Sequence, residues 1–181
     1  MAQKTEPIIR IALIGPESTS KSTLSEKLAA HYKTVFVKEY SREYLKNIGR
    51  EYTLDDVITI AKAQQEQENA LLLKANKLLF ADTELIVSKV WCEDVFDTTP
   101  EWISENILPY KYDLYLLTYY DLPWEADPVR ENPHRREFFF DWYERELKLT
   151  GAEYVVIKGI GEERFEAAVR AIEDFLKRLA S

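Results

Sequence analysis

The 181-residue sequence predicts an α/β protein, a three-layer sandwich with helices on both faces of a mainly parallel sheet. Three observations predict it. Short apolar runs alternate with helix-like segments along the whole chain. The runs are continuous, as in strands covered on both faces. The first run also leads into a turn, bearing a glycine and a lysine, of the kind that joins a strand to an anion-binding helix.

The elements follow in order. Strands are expected at 8–14, 34–37, 77–81, 113–118 and 153–158. After the first, Leu24, Leu28, Ala29 and Tyr32 have helical spacing. Thr53 is a plausible cap for a helix carrying Val57, Ile60, Ala61, Gln64, Leu71 and Leu72. Thr99 with Pro100 starts another helix, and Asn132 with Pro133 a third that stops near Gly151, because proline fits the first helical turn. A final amphipathic helix runs over 162–179 with Phe165, Val169, Ile172, Phe175 and Leu176 on one side. In such a fold, ligands sit at the carboxyl ends of the strands.

The residues that carry chemistry fall at those ends. Gly15-Pro16-Glu17-Ser18-Thr19-Ser20-Lys21-Ser22-Thr23 is one letter from the phosphate-binding pattern G-x-x-x-x-G-K-[ST]. Ser20 stands in place of the second glycine. Anion-binding nests alternate right- and left-handed backbone, so Ser20 is expected to take a positive φ, at about 1–2 kcal/mol for a residue with a Cβ. Glu39 and Arg42 follow the second strand, and Asp82 closes the third in the form of an acidic Walker B element. The two carboxylates lie where a magnesium ion and a reacting hydroxyl would meet the phosphates of ATP. Beyond the fourth strand, an irregular segment with Pro123, Pro128 and Pro133 carries Arg130, with Arg135 and Arg136 just after it. Arginines on such a cover neutralise phosphoryl oxygens and exclude water on closure.

Composition bounds the partners. With 46% apolar and 31% charged residues, five glycines and seven prolines, the chain suits one globular domain over 1–181 with a real core. A net charge of −8 without a lysine and arginine block argues against nucleic acid or an anionic membrane as main partner. Cys92 is the single cysteine and His31 and His134 stand apart, which excludes an intramolecular disulfide and a cysteine or histidine metal cluster. The amino-terminal Met-Ala-Gln-Lys-Thr-Glu-Pro has no apolar signal core and no run approaches membrane length, so a cytoplasmic location is expected.

The chain resembles the ribosylnicotinamide kinase domain of NadR proteins, a P-loop family that phosphorylates a nucleoside at its 5′-hydroxyl. The resemblance runs through the phosphate loop, Lys38-Glu39-Tyr40-Ser41-Arg42-Glu43-Tyr44-Leu45 and Gly49-Arg50-Glu51-Tyr52-Thr53. It continues through Leu79-Phe80-Ala81-Asp82-Thr83, Lys89-Val90-Trp91, Tyr112-Asp113-Leu114-Tyr115-Leu116-Leu117, and Pro123-Trp124 with the following arginines. It implies a P-loop NTPase sandwich with a parallel five-stranded sheet in the order 2-3-1-4-5 and a small lid over about 121–137. Bifunctional members carry an adenylyltransferase domain for which no sequence is left over here, so a stand-alone kinase is expected.

The resulting assignment puts ATP on Gly15, Glu17, Ser18, Thr19, Ser20, Lys21, Ser22 and Thr23, and Mg²⁺ on Ser22 and Asp82, directly or through water. Glu39 accepts the proton of the attacking hydroxyl, or the two carboxylates exchange roles. Arg42 lies near the acceptor or the phosphoryl group, and Arg130, Arg135 and Arg136 close over the transferring phosphate. Nicotinamide riboside, the substrate implied, carries a fixed positive charge that suits an aromatic face and nearby carboxylates. Trp91 and Trp124 are candidates for the face, with Tyr40 or Tyr44 in reserve, and Glu93, Asp94, Asp121 and Asp127 supply negative charge. Phe138, Phe139, Phe140, Trp142 and Tyr143 are assigned to the core. Two other readings stay open: a nucleotide-binding regulatory module with little or no transfer, which Ser20 favours, and a kinase of another small acceptor.

Overall fold

The computed structural model describes residues 7–181. The amino-terminal stretch read above for a signal core falls almost wholly on residues 1–6, outside the described residues.

The chain begins with β1 (Ile9–Ile14), α1 (Lys21–His31), β2 (Val35–Val37), α2 (Tyr40–Asn47), α3 (Leu54–Leu72) and β3 (Leu78–Asp82). It continues with α4 (Leu85–Phe96), α5 (Glu101–Asn106), β4 (Leu114–Thr118), α6 (Arg136–Leu149), β5 (Tyr154–Ile157) and α7 (Glu162–Leu179). The five strands form one sheet in the order β2-β3-β1-β4-β5, with every neighbouring pair parallel. This is the architecture and strand order expected from the sequence.

The strands bury both faces. Along β1, Ile11 and Leu13 join a core with Leu24 and Leu28 of α1 and Ile172 and Phe175 of α7. Ala12 and Ile14, pointing the other way by the pleat, join a second core with Val57, Ile86, Val90 and Leu147 from α3, α4 and α6. Thr53 and Asp56 close a capping box at the start of α3, where the sequence placed a cap. Among the described residues no helix is long and apolar enough to cross a membrane.

The start of one helix differs from expectation and another helix had no expected bounds, each for a physical reason. The helix expected from Asn132 and Pro133 starts only at Arg136, because residues 133 and 134 form a turn and the Asn132 amide donates instead to the Glu17 carboxylate at 2.9 Å. The sequence also gave no bounds for α4. That helix packs against α3, α5 and α6 at once, so apolar residues surround it and the helical period is blurred. Phe138, assigned to the core, is 50% exposed, while Phe139, Phe140 and Tyr143 are buried and Trp142 is half-buried.

The turn after β1 is held hard against the end of β4. Gly15 has φ +146°, and a Cβ there would lie 2.3 Å from Thr118 Oγ1 and 2.7 Å from the Thr118 carbonyl oxygen. Gly15→Ala should therefore destabilise the fold by about 2–5 kcal/mol through backbone strain and overpacking. A urea titration followed by circular dichroism reads this directly, and an unchanged midpoint would show that the turn is free to move off β4.

Candidate active site

The nine-residue turn from Gly15 to Thr23 forms a concavity at the carboxyl end of the central strand. Ser18 at φ 57° and Ser20 at φ 63° are both left-handed, on either side of Thr19. Ser20 thus takes the backbone that the glycine position requires, and the serine changes the strain and not the course of the chain. Thr19 anchors the turn from below: its hydroxyl donates to the Pro16 carbonyl at 2.8 Å and shares a 2.7 Å hydrogen bond with the Thr118 hydroxyl. Lys21 Nζ donates to the carbonyls of Gly15 at 3.0 Å and Pro16 at 2.8 Å, spanning the mouth of the turn. Burial pushes the Lys21 ammonium down, against the opposing pull of Glu39, Asp82 and Glu17.

Asp82 is 1% exposed at the end of β3. Its Oδ2 accepts the Ser22 hydroxyl at 2.5 Å, while its buried Oδ1 has no hydrogen-bond partner. Burial, and then the nearby Glu39, push the Asp82 carboxyl up, while Lys21 opposes them. An orphaned carboxylate oxygen beside a serine hydroxyl is a donor set that fits a hard divalent cation. Among the described residues no group of three or more His, Cys, Asp or Glu residues could hold a metal alone. Phosphate oxygens and water would have to complete the shell, which is the coordination magnesium favours.

Glu39 is the residue before α2 and belongs to a different set of partners. Its carboxylate accepts the Ser41 hydroxyl at 3.0 Å and lies 3.4 Å from Arg42 Nε, and Arg42 reaches across to Asp127 at 2.7 Å. Asp127 belongs to the irregular segment between β4 and α6, which lies down on the turn. The Ser18 hydroxyl accepts the Glu125 amide at 2.9 Å, and the Glu17 carboxylate accepts the amides of Glu131 and Asn132. Arg130 donates to the Glu125 carbonyl and reaches the Ser18 hydroxyl at 3.5 Å. Arg136 donates to the Leu122 carbonyl at 2.7 Å and reaches the Ser18 carbonyl at 3.5 Å. These two arginines gather at the phosphate turn.

Arg135 does not. It forms a two-pronged pair with Asp94 of α4 at 2.9 and 2.5 Å and lies over the rings of Phe138 and Phe139. As the residue just before α6, it is committed to α4 and not to the turn, which corrects its expected place over a transferring phosphate.

Two cavities meet at this point. A cleft of about 590 Å³ runs over the turn, lined by Ser18 to Thr23, Arg42, Arg130, Ile160 and Gly161 among others. A larger cavity of about 850 Å³ extends beneath the lid between α3 and α4. Glu17, Lys21 and Glu39 line both. Asp82 lines neither, being sealed behind Ser22.

The aromatic candidates divide in the same way. Trp91 lines the larger cavity, edge-on to Tyr52 at 5.1 Å, with its indole N–H 3.2 Å from the Tyr52 hydroxyl. Trp124 and Tyr40 line neither cavity: Trp124 has Arg136 over its ring, and Tyr40 packs on Tyr44, whose hydroxyl is taken by Asp56. The four carboxylates nominated to face a cationic ring are all committed to ion pairs: Glu93 with Lys89, Asp94 with Arg135, Asp121 with Arg164 and Asp127 with Arg42.

Three residues at the site were given no role from the sequence. Tyr52 is the partner of Trp91. Arg164, 2% exposed, donates to the carbonyls of Thr19, Gly159 and Tyr119 and pairs with Asp121, tying the phosphate turn to the loops after β4 and β5. Glu84, which caps α4, is buried against the larger cavity, and burial pushes its carboxyl up to about 8. Nothing in a single sequence separates a buried arginine or glutamate from the solvated ones around it, so no signal was there to find them.

The chain is similar to known proteins along most of its length. A family model described as an AAA domain matches residues 10–164. The trifunctional NAD biosynthesis/regulator protein NadR of Salmonella typhimurium is 27% identical over 175 residues, covering 92% of this chain and 42% of that protein. A crystal structure of NadR in complex with NR superposes with a TM-score of 0.75 at 23% identity, over 93% of this chain and 50% of that one. The structure of a deoxyadenosine kinase from M. mycoides, with a TM-score of 0.62 at 13% identity, is covered over its full length by 92% of this chain. The chain therefore spans about half or less of the NadR proteins it matches. With its phosphate turn, its 2-3-1-4-5 parallel sheet and its likeness to NadR along nearly its whole length, the chain belongs to the AAA domain family and has the fold of P-loop phosphotransferases.

Proposed function

We propose that the protein is an ATP-dependent nucleoside kinase that phosphorylates the 5′-hydroxyl of nicotinamide riboside to give nicotinamide mononucleotide. The observation that carries this reading is the junction of two cavities at Lys21 and Glu39. A binding module needs one cavity. Transfer needs a donor cleft and an acceptor pocket that share a charged boundary, with a base on the acceptor side.

Each residue has a task on this reading. The amides of the turn and Lys21 hold the donor phosphates, where Lys21 exchanges its loop carbonyls for phosphate oxygens. Magnesium, when bound, neutralises charge on those oxygens, with Ser22 and Asp82 as its protein side. Glu39 lines both cavities and accepts the proton of the acceptor hydroxyl, whereas Asp82 is sealed from the acceptor; this supports base for the first and metal for the second. Arg130 and Arg136 close over the transferring group, and Arg42 orients Glu39. Trp91 and Tyr52 supply the aromatic wall for the nicotinamide ring. The similarity to NadR solved with NR supports the choice of acceptor.

Incubation with Mg-ATP and a nucleoside panel should yield nicotinamide mononucleotide by mass spectrometry, and Lys21→Ala should lower turnover on the order of 10²–10³-fold with the fold intact. A panel with no phosphorylated product would overturn the reading in favour of a regulatory nucleotide binder. Glu39→Gln should lower kcat on the order of 10²–10⁴-fold with little change in Mg-ATP affinity, whereas Asp82→Asn should raise the magnesium concentration needed for half activity. The opposite pattern in steady-state kinetics would exchange the two roles. Ser20→Gly should relieve about 1–2 kcal/mol of strain and tighten Mg-ATP by up to roughly tenfold in calorimetry; weaker binding would show that the serine loop is already relaxed.

A further inference from the structure

Among the buried acids of the described residues, only Asp82 and Glu84 are in no ion pair, and Asp82 belongs with Ser22 to the phosphate turn. Asp56, Glu68 and Glu146 are as deeply buried, and each is paired with a cation: Arg50, Arg10 and Lys89. Glu84 is 7% exposed, and no lysine, arginine or histidine among the described residues pairs with it. Its carboxyl accepts the Ile86 amide at 2.8 Å, an N-cap contact that any acceptor of this length would make equally well. A glutamine would satisfy the helix, so the cap does not explain an acid at this position.

The cavity that Glu84 lines adds a second observation. Seven carboxylates and three cations line it, so its wall is net negative. Two of the three cations are already spent, Arg50 on Asp56 and Arg135 on Asp94, and the third, Lys21, belongs to the phosphate turn. Glu68, near Glu84, is satisfied by Arg10 and by the Tyr112 hydroxyl. The four acids nominated above from the lid and α4 are committed to ion pairs. Glu51 and Glu131 line the cavity without a cation but are exposed to solvent, and Glu131 accepts the Tyr52 hydroxyl, which leaves Glu84 as the buried acid of the wall with no counter-ion. A buried carboxyl without a counter-ion is held toward its neutral form in the empty protein, and a cation of the right shape stabilises the carboxylate on binding, with release of the proton to solvent.

We propose that Glu84 is the residue by which this cavity selects a nucleoside whose base carries a fixed positive charge over a neutral one. The inference rests on the nucleoside-kinase reading and supplies what that reading lacks, the group that tells the charged ring from an uncharged ring of the same outline. Trp91 and Tyr52 form an aromatic wall that holds either ring, and Glu84 discriminates between them.

The test compares nicotinamide riboside with its 1,4-dihydro form, which keeps the ribose and the carboxamide and loses the charge. In wild-type protein the cation should have the lower KM. Glu84→Gln keeps the cap and the volume and removes the charge; it should raise KM for the cation by about tenfold or more, leave its kcat within about twofold, and leave both constants for the dihydro form nearly unchanged. Equal changes for both nucleosides, or none, would overturn the proposal and reduce Glu84 to a cap. Should the glutamine variant fail to fold, Glu84→Asp keeps the charge and withdraws it by one methylene, and the preference for the cation should narrow. If wild-type protein phosphorylates neither nucleoside, the kinase reading falls by itself, and calorimetric binding of the same two ligands to wild-type and Glu84→Gln protein still decides the role of Glu84.

Discussion

The contact between the turn after β1 and the end of β4 is the constraint on which the rest of the site depends. β1 lies at the centre of the sheet with β3 on one side and β4 on the other. Its outgoing chain must pass between two strand ends, and only a residue without a Cβ fits where Gly15 meets Thr118. Once the chain is there, Thr19 locks to Thr118 on one side and Ser22 reaches Asp82 on the other. Arg164 closes the arrangement from α7, holding the Thr19 carbonyl and the loops after β4 and β5 with one buried guanidinium. The anion-binding concavity is thus built on three strand ends and not on the turn alone.

That construction explains how the site tolerates Ser20. A left-handed serine persists where the surrounding structure over-determines it. Here the next residues are already helical, the Ser20 carbonyl accepts the Leu24 amide at 2.9 Å, and the Thr19 carbonyl is fixed by Arg164. The strain stays local because both flanking peptides are held by other bonds.

The lid, in contrast, is held by contacts that are easily exchanged. The Arg42–Asp127 pair leaves 31% and 22% of its side chains exposed, and partly exposed pairs of this kind contribute little net stability. Arg130 and Arg136 donate to main-chain carbonyls of the lid and to Ser18, bonds that phosphate oxygens can replace one for one. Lys21 likewise rests on two carbonyls of its own turn. The cations of the site are therefore positioned in advance, yet none is tied to a buried carboxylate that would compete with a ligand.

The sequence by itself determined the fold class, the run of strands and the phosphate turn, because each rests on local physics. Apolar runs of strand length, a glycine between strand and helix, and a lysine and serine at the helix start are all readable within a few residues. Ser20 was legible in the same way, since a left-handed position follows from the turn pattern and the structure shows it at φ 63°. The charge partners were not legible. Arg135, Asp94, Asp121 and Asp127 looked like free charges near a pocket, and only the packing of α6 on α4, and of the lid on α2 and α7, committed them to ion pairs. The reverse holds for Glu84 and Arg164, which read as ordinary surface residues until the tertiary structure buried them, one without a counter-ion and the other among carbonyls. Burial and pairing depend on contacts between residues far apart in the chain, such as Arg135 with Asp94 or Arg164 with Thr19, and periodicity and spacing carry no information about such contacts.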